Sequence, residues 1–143
     1  MLFAVLLGCV RLQEGDYEVD YAPVSEDSCG IYDGAEGAPD ATGTLAWEGD
    51  TLVFAFDGED DDLVFDVSGT TFSREEEGAV ALDDTGACFF ATERTDAGRM
   101  LSNTTFEGES SLVAVLQGSC TVQQQVFDDP CTVAFSWEGA RVE

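Results

Sequence analysis

The sequence predicts a small all-β protein: a single antiparallel meander of about eight or nine strands that forms a barrel or a two-layer sandwich. Three observations support this prediction. From residue 43 onward, short apolar runs are separated by Gly- and Asp-containing turns about every eight to twelve residues. No segment keeps apolar residues at helical spacing for three turns. The chain has 143 residues, which is enough for one domain.

The predicted strands follow one another along the chain with short connections. Residues 51–56 and 112–116 are almost continuously apolar, which predicts strands buried on both faces. The turns at 48–50 and 83–86 contain Gly and Asp, which tolerate turn dihedrals, so we expect consecutive strands to pair. The predicted strands are 43–48, 51–56, 63–67, 70–74, 79–82, 87–95, 100–107, 111–122 and 131–137.

An aromatic residue is followed by Glu and Gly at three places, beginning at Trp47, Phe106 and Trp137. The pattern is typical of a strand that ends in a tight turn with its aromatic ring folded onto the core. We therefore expect these three rings to contribute to packing.

The charge balance excludes some classes of function. The chain has 30 acidic residues, five Arg, no Lys and no His, for a formal net charge of −25. Such a surface repels phosphate backbones, so nucleic acid is not a predicted partner. Without His or Lys there is no ordinary general base near neutral pH and no amine nucleophile, which predicts a non-catalytic protein. Adaptation to high salt and simple solubility of an exported protein both account for the acidity.

The N-terminus has the pattern of an export signal. Residues 1–8 carry only apolar side chains, and Cys9 follows directly. Eight helical residues cover about 12 Å, far less than the roughly 30 Å hydrocarbon core, so this segment predicts a signal peptide and not a membrane span. No Lys or Arg precedes the apolar run, so we expect the true start codon to lie upstream.

The four residues Leu6-Leu7-Gly8-Cys9 resemble the lipobox of bacterial lipoproteins. This resemblance implies that residues 1–8 are removed and that Cys9 carries the lipid, which attaches the protein to a membrane of the cell envelope. The domain would then face the periplasm or the exterior. Residues 9–42, rich in Asp, Glu, Gly and Pro, are predicted to be an acidic tether, and residues 43–143 the all-β domain.

The predicted function is a non-catalytic binding or structural module on the envelope, with a protein, a glycan or a small molecule as its unknown partner. One alternative is a calycin-like barrel that carries a small apolar ligand, because the strand count and aromatic content suit such a barrel. A second alternative is a Ca²⁺-dependent adhesive domain.

The calcium hypothesis rests on five carboxylates within residues 57–62, with Asp57, Glu59 and Asp61 as candidate ligands. Clustered carboxylate oxygens suit Ca²⁺. The EF-hand order is absent, because Asp62 stands where Gly is required and Ser68 where Glu is required. A solvated hairpin turn is the alternative interpretation, and no other cofactor is predicted.

Four cysteines remain if Cys9 carries lipid, an even number that predicts two disulfides in an exported domain. Three pairings are open. The shortest loop favours Cys120 with Cys131, which leaves Cys29 with Cys88. The absence of His and of a Cys-x-x-Cys pair argues against a zinc site.

Overall fold

The computed structural model describes residues 10–29, 40–82, 84–118 and 130–142. Within these residues all regular structure is β, and no helix is long and apolar enough to cross a membrane. The strands are β1 (Gly15–Tyr21), β2 (Glu26–Asp27), β3 (Ala41–Glu48), β4 (Thr51–Phe56), β5 (Leu63–Ser68), β6 (Thr71–Ala81), β7 (Cys88–Met100), β8 (Thr105–Gly118) and β9 (Cys131–Arg141).

The sheet closes into an eight-stranded antiparallel barrel. Each strand from β3 to β9 pairs with the next along the chain, and β1 lies between β3 and β9. The short β2 is a ninth strand, and like β1 it pairs with β9. The all-β antiparallel prediction is confirmed, and the barrel is the form adopted. Closure leaves no exposed edge wherever neighbouring strands pair along their full length.

The predicted tether is wrong for residues 10–29. Leu12 is 1% exposed and belongs to the core, and β1 is a full member of the barrel. Tyr17 and Val19 point inward while the acidic residues between them face solvent. The acidic composition concealed a half-buried strand, because alternation with a period of two needs only every second residue to be apolar. Residues 30–39 of the predicted tether lie outside the described residues.

β6 and β8 each join two predicted strands into one. β6 continues through Glu75, Glu76 and Glu77, which lie between the predicted strands 70–74 and 79–82. β8 continues through Gly108, because this glycine lies opposite Trp137 on β9 and the indole ring occupies the space a side chain would fill.

The second and third aromatic-Glu-Gly triplets therefore lie within strands, not at their ends. Phe106 on β8 faces Gly139 on β9, and Trp137 on β9 faces Gly108 on β8. Each ring covers the glycine across from it, and the two ring centroids are 5.8 Å apart. A shared aromatic-x-Gly spacing on two antiparallel strands produces this reciprocal pairing. The expected role in packing is borne out, with Phe106 2% and Trp137 7% exposed.

Phe106 is the centre of the aromatic core. Its ring centroid lies 5.5 to 5.8 Å from those of Tyr17, Phe54, Phe72 and Trp137, which come from four other strands. Aromatic pairs at such distances contribute about 0.5–1.5 kcal/mol each beyond the burial of area. The rings therefore link opposite walls of the barrel.

Candidate functional site

An ionic cluster lies inside the barrel next to the aromatic core. Its centre is Asp96, an inward-facing residue in the middle of β7 that is 2% exposed. Arg74 Nη1 donates a hydrogen bond to Asp96 Oδ2 at 2.7 Å, and Arg94 Nε lies 3.1 Å from both carboxylate oxygens. The Ser110 hydroxyl donates to Oδ1. The Asp96 carboxylate is thus surrounded by donors.

The register of three strands builds this cluster. Asp96 lies directly opposite Arg74 on β6 and opposite Ser110 on β8, so the three side chains project from the same inner face. Arg94 precedes Asp96 by two residues on β7 and therefore points in the same direction. The Trp137 indole Nε1 donates to Ser110 Oγ at 2.9 Å and joins the cluster to the aromatic core.

The surroundings of Arg74 favour its charged form. Burial lowers the pKa of the Arg74 guanidinium, but its hydrogen bonds to Glu76 and Asp96 outweigh burial, so the net pKa lies above the ordinary value. No buried side-chain nitrogen or oxygen in the described part of the chain lacks a hydrogen-bond partner. Because both of its oxygens already accept hydrogen bonds from β6, β7 and β8, the Asp96 carboxylate is suited to holding these strands in place.

An aromatic cleft adjoins the cluster, but it is almost full. The space inside it that a water-sized molecule can reach is about 30 Å³. One or two waters fit such a volume, whereas small-molecule sites enclose roughly 300–1,000 Å³. The lining residues are Val19, Tyr21, Phe54, Phe56, Leu63, Phe65, Phe72, Arg94, Asp96, Phe106, Ser110 and Trp137.

The barrel wall is incomplete beside this cleft. Pairing between β5 and β6 covers only three residue pairs and ends at Asp66 opposite Ser73. From Arg74 onward β6 continues for eight residues, paired with β7 on one side and with no described strand on the other. Residues 75–81 are all exposed. We call the opening between residues 63–65 and 74–81 the β5–β6 split.

The predicted calcium ligands occupy an exposed connection between β4 and β5. The Asp57 carboxylate accepts a hydrogen bond from the Thr42 hydroxyl at 2.7 Å, and Glu59 N–H donates to the Phe56 carbonyl at 3.2 Å. Within the described ranges, no three acidic or thiol side chains are grouped so that they could hold a metal ion. Asp57, Glu59 and Asp61 are thus not brought together, and calcium binding stays a prediction.

Both predicted cysteine pairs are wrong. Cys29 is bonded to Cys131, with the Cα atoms 5.0 Å apart, so Cys131 does not pair with Cys120. The cause is the register of β2 with β9. Asp27 lies opposite Val133, so two residues further along the chain Cys29 lies beside Cys131. Cys88 is also in a disulfide, and Cys9 and Cys120 lie outside the described residues.

The ionic cluster was missed at the sequence level. Arg74, Arg94 and Asp96 resemble ordinary surface charges in a chain with 30 acidic residues. The one available signal was the Arg94-x-Asp96 spacing, which puts opposite charges on one face of a strand. The sequence does not show that this face points into the barrel, because that depends on how β7 pairs with β6 and β8.

Comparisons with protein-family models, curated proteins and solved structures found no match to this chain.

Proposed function

We propose that this protein is a lipid-anchored, non-catalytic binding module of the bacterial cell envelope, attached through Cys9. The observation that carries the proposal is the Cys29–Cys131 disulfide, which joins residues 102 apart in sequence within the core of the barrel. Cys29 and Cys131 are 3% and 0% exposed. Structural disulfides persist outside the reducing cytosol, so a disulfide-linked barrel supports an exported protein.

The cysteine count supports the anchor. Of five cysteines, Cys29 and Cys131 bond to each other and Cys88 is in a second disulfide. If Cys120 is the partner of Cys88, Cys9 alone is left for lipid. The lipobox resemblance assigns the lipid to the same residue.

The anchor would hold the barrel in a defined orientation. Val10 is half-buried against the core and Leu12 is fully buried, so little slack separates Cys9 from the folded domain. Val10 and Arg11 lie beside Trp47, Asp50 and Gly69, so an anchor at Cys9 would bring the β3–β4 and β5–β6 turns nearest the membrane. Because β6 runs away from that end, the β5–β6 split opens away from the bilayer.

The nearly filled interior favours a module that binds through its surface over a carrier that encloses a ligand. A calycin-like carrier needs a cavity several times larger than the roughly 30 Å³ found here. The absence of His and Lys supports the non-catalytic assignment.

Mass spectrometry of the protein isolated from its native membranes tests the proposal. We expect a mature chain that begins at Cys9 and carries acyl groups. The Cys9→Ala variant should remain unacylated and leave the membrane fraction, whereas the matched Cys120→Ala variant should still be acylated. A native protein with residues 1–8 intact and no lipid would overturn the proposal.

Non-reducing peptide mapping of the same sample gives an independent test. Cys29 should be linked to Cys131 in every case. If Cys9 is the anchor, Cys88 should be linked to Cys120. A Cys9–Cys88 linkage would refute the anchor while leaving the barrel unchanged.

A further inference from the structure

We propose that the open edge of β6, residues 74–81, is a docking site for an extended, basic segment of a partner protein, which adds to the sheet as a strand in the β5–β6 split. The docking site rests on the proposed function in one respect only: it supplies a partner for the proposed binding module. Strand addition uses backbone hydrogen bonds for affinity and alternate side chains for selectivity.

The backbone of β6 has donors and acceptors directed toward the split. Leu82 N–H donates to the Cys88 carbonyl, and Met100 N–H donates to the Thr70 carbonyl, so even-numbered residues of β6 bond to β7. In an antiparallel pair the direction of these groups alternates along the strand. Glu75, Glu77, Ala79 and Ala81 therefore direct their N–H and C=O groups away from β7.

The edge is long enough to hold a full strand. Eight residues extend over about 26 Å, which exceeds the length of a typical strand of about five or six residues. Both faces are accessible, because every residue from 75 to 81 is exposed, including Val80 at 49%. Val64 on the other side of the split is 51% exposed.

The side chains of the edge favour a positively charged partner. Glu75 and Glu77 project from the outer face, and Glu77 lies directly opposite Glu93 on β7. Two like charges in direct opposition repel each other, and a Lys or Arg on a strand docked on the other side of Glu77 would offset this repulsion. The whole chain carries a net charge of −25, which attracts a basic segment at long range and opposes pairing with a second copy.

The second half of the edge suits close approach of another backbone. Gly78, Ala79, Val80 and Ala81 have small, uncharged side chains, whereas exposed edges are commonly protected by charge. An incoming strand that alternates basic and apolar residues could place the basic ones near Glu75 and Glu77. Its apolar residues would then face Val80 and the Leu63 side of the cleft.

Amide hydrogen exchange measured by NMR tests the geometry directly. The probe is a synthetic octapeptide of four Lys-Val repeats, added to the full chain purified in detergent if it is acylated and from the soluble fraction if it is not. We expect the amides of Glu75, Glu77, Ala79 and Ala81 to exchange fast in the free protein and to slow at least about tenfold with peptide. Protection without this alternation, or none at millimolar peptide, would overturn the proposal.

Variants separate strand addition from general electrostatic attraction. Ala79→Pro removes an N–H that points into the split and no bond to β7, so it should weaken peptide binding about tenfold with the fold intact. The pair Glu75→Gln and Glu77→Gln should weaken it about threefold to tenfold at low salt. The matched pair Glu48→Gln and Asp50→Asn, at the opposite end of the barrel, should change it less than about twofold.

Controls with altered probes complete the test. A version of the peptide that is N-methylated at alternate residues keeps its charge but loses backbone N–H donors. It should bind the protein at least about tenfold more weakly than the unmodified peptide. Equal binding of the two peptides, or an equal effect of both charge variants, would identify a non-specific electrostatic contact. Dimerisation of the protein through β6 in sedimentation experiments, abolished by Ala79→Pro, would assign the edge to a second copy and refute the proposed partner.

Discussion

Replacement of Asp96 by alanine removes the single anion inside the ionic cluster. Arg74, whose side chain is 12% exposed, then keeps only Glu76, which lies 2.7 Å away and is 58% exposed. Ser110 loses its acceptor, although its hydroxyl can turn. Arg94 is 40% exposed and can reach water. The main cost is therefore the guanidinium of Arg74, left in the barrel with half of its partners.

The expected loss of stability is about 3 kcal/mol, the lower end of the roughly 3–5 kcal/mol seen when one member of a buried ion pair is deleted. The lower end applies because Glu76 still neutralises Arg74. Arg74→Ala should cost about 2 kcal/mol, since Asp96 keeps Arg94 and Ser110. Arg94→Ala should cost less than about 1 kcal/mol, because solvent already screens this pair. Asp96→Asn, which keeps the shape but loses the charge, should fall between the Asp96→Ala and Arg94→Ala results.

Urea denaturation with the disulfides intact measures these differences as shifts of the midpoint at constant slope. Thermal unfolding should show a fall of roughly 10 °C for Asp96→Ala. The ranking of the variants is the decisive result. If Asp96→Ala changed stability by less than about 1 kcal/mol, or if Arg94→Ala cost as much, the cluster would not stabilise the barrel as argued.

Three further predictions test the core and the surface. Burial raises the pKa of Tyr17, so the folded protein keeps the phenol proton where the unfolded chain loses it, and stability should fall as pH rises above about 10. Tyr17→Phe should remove this alkaline loss and cost about 1 kcal/mol at neutral pH through the hydrogen bond to the Gln13 carbonyl; an unchanged alkaline profile would contradict this. Gly139→Ala should destabilise by about 1–3 kcal/mol because its methyl would overlap the Phe106 ring. Gly78→Ala, where only Thr92 Oγ1 lies near at 3.1 Å, is the matched control and should change stability by less than about 0.5 kcal/mol; equal effects would argue against the overlap. Raising NaCl toward 1 M should stabilise the protein, because the Debye length falls to about 3 Å and the repulsion among the acidic residues weakens; a lower unfolding midpoint would contradict this.

The sequence was sufficient for the features that depend on neighbours in the chain. Turns rich in Gly and Asp, together with runs such as Thr51–Phe56, were enough to predict the meander, because each strand from β3 to β9 pairs with the next. Gly49 and Gly69 adopt positive φ at two of these turns, where glycine is favoured. Local chemistry therefore fixed most of the antiparallel order.

The features that depend on distant pairing could not be predicted. β1 pairs with β9 across more than a hundred residues, and its acidic composition concealed the two inward residues Tyr17 and Val19. The Cys29–Cys131 bond follows from the register of β2 with β9, whereas loop length alone favoured a shorter pairing. In both cases the deciding contact forms only when the barrel closes.

The ionic cluster and the open edge are parts of one arrangement. Ser73 is the last residue of β6 that pairs with β5, and Arg74 is the next. At this point β6 loses its pairing with β5 but stays paired with β7, and Arg74 on its inner face donates a hydrogen bond to Asp96 on β7. The buried charge thus reinforces the β6–β7 pairing at the point where β6 loses β5, directly before the edge proposed to bind a partner.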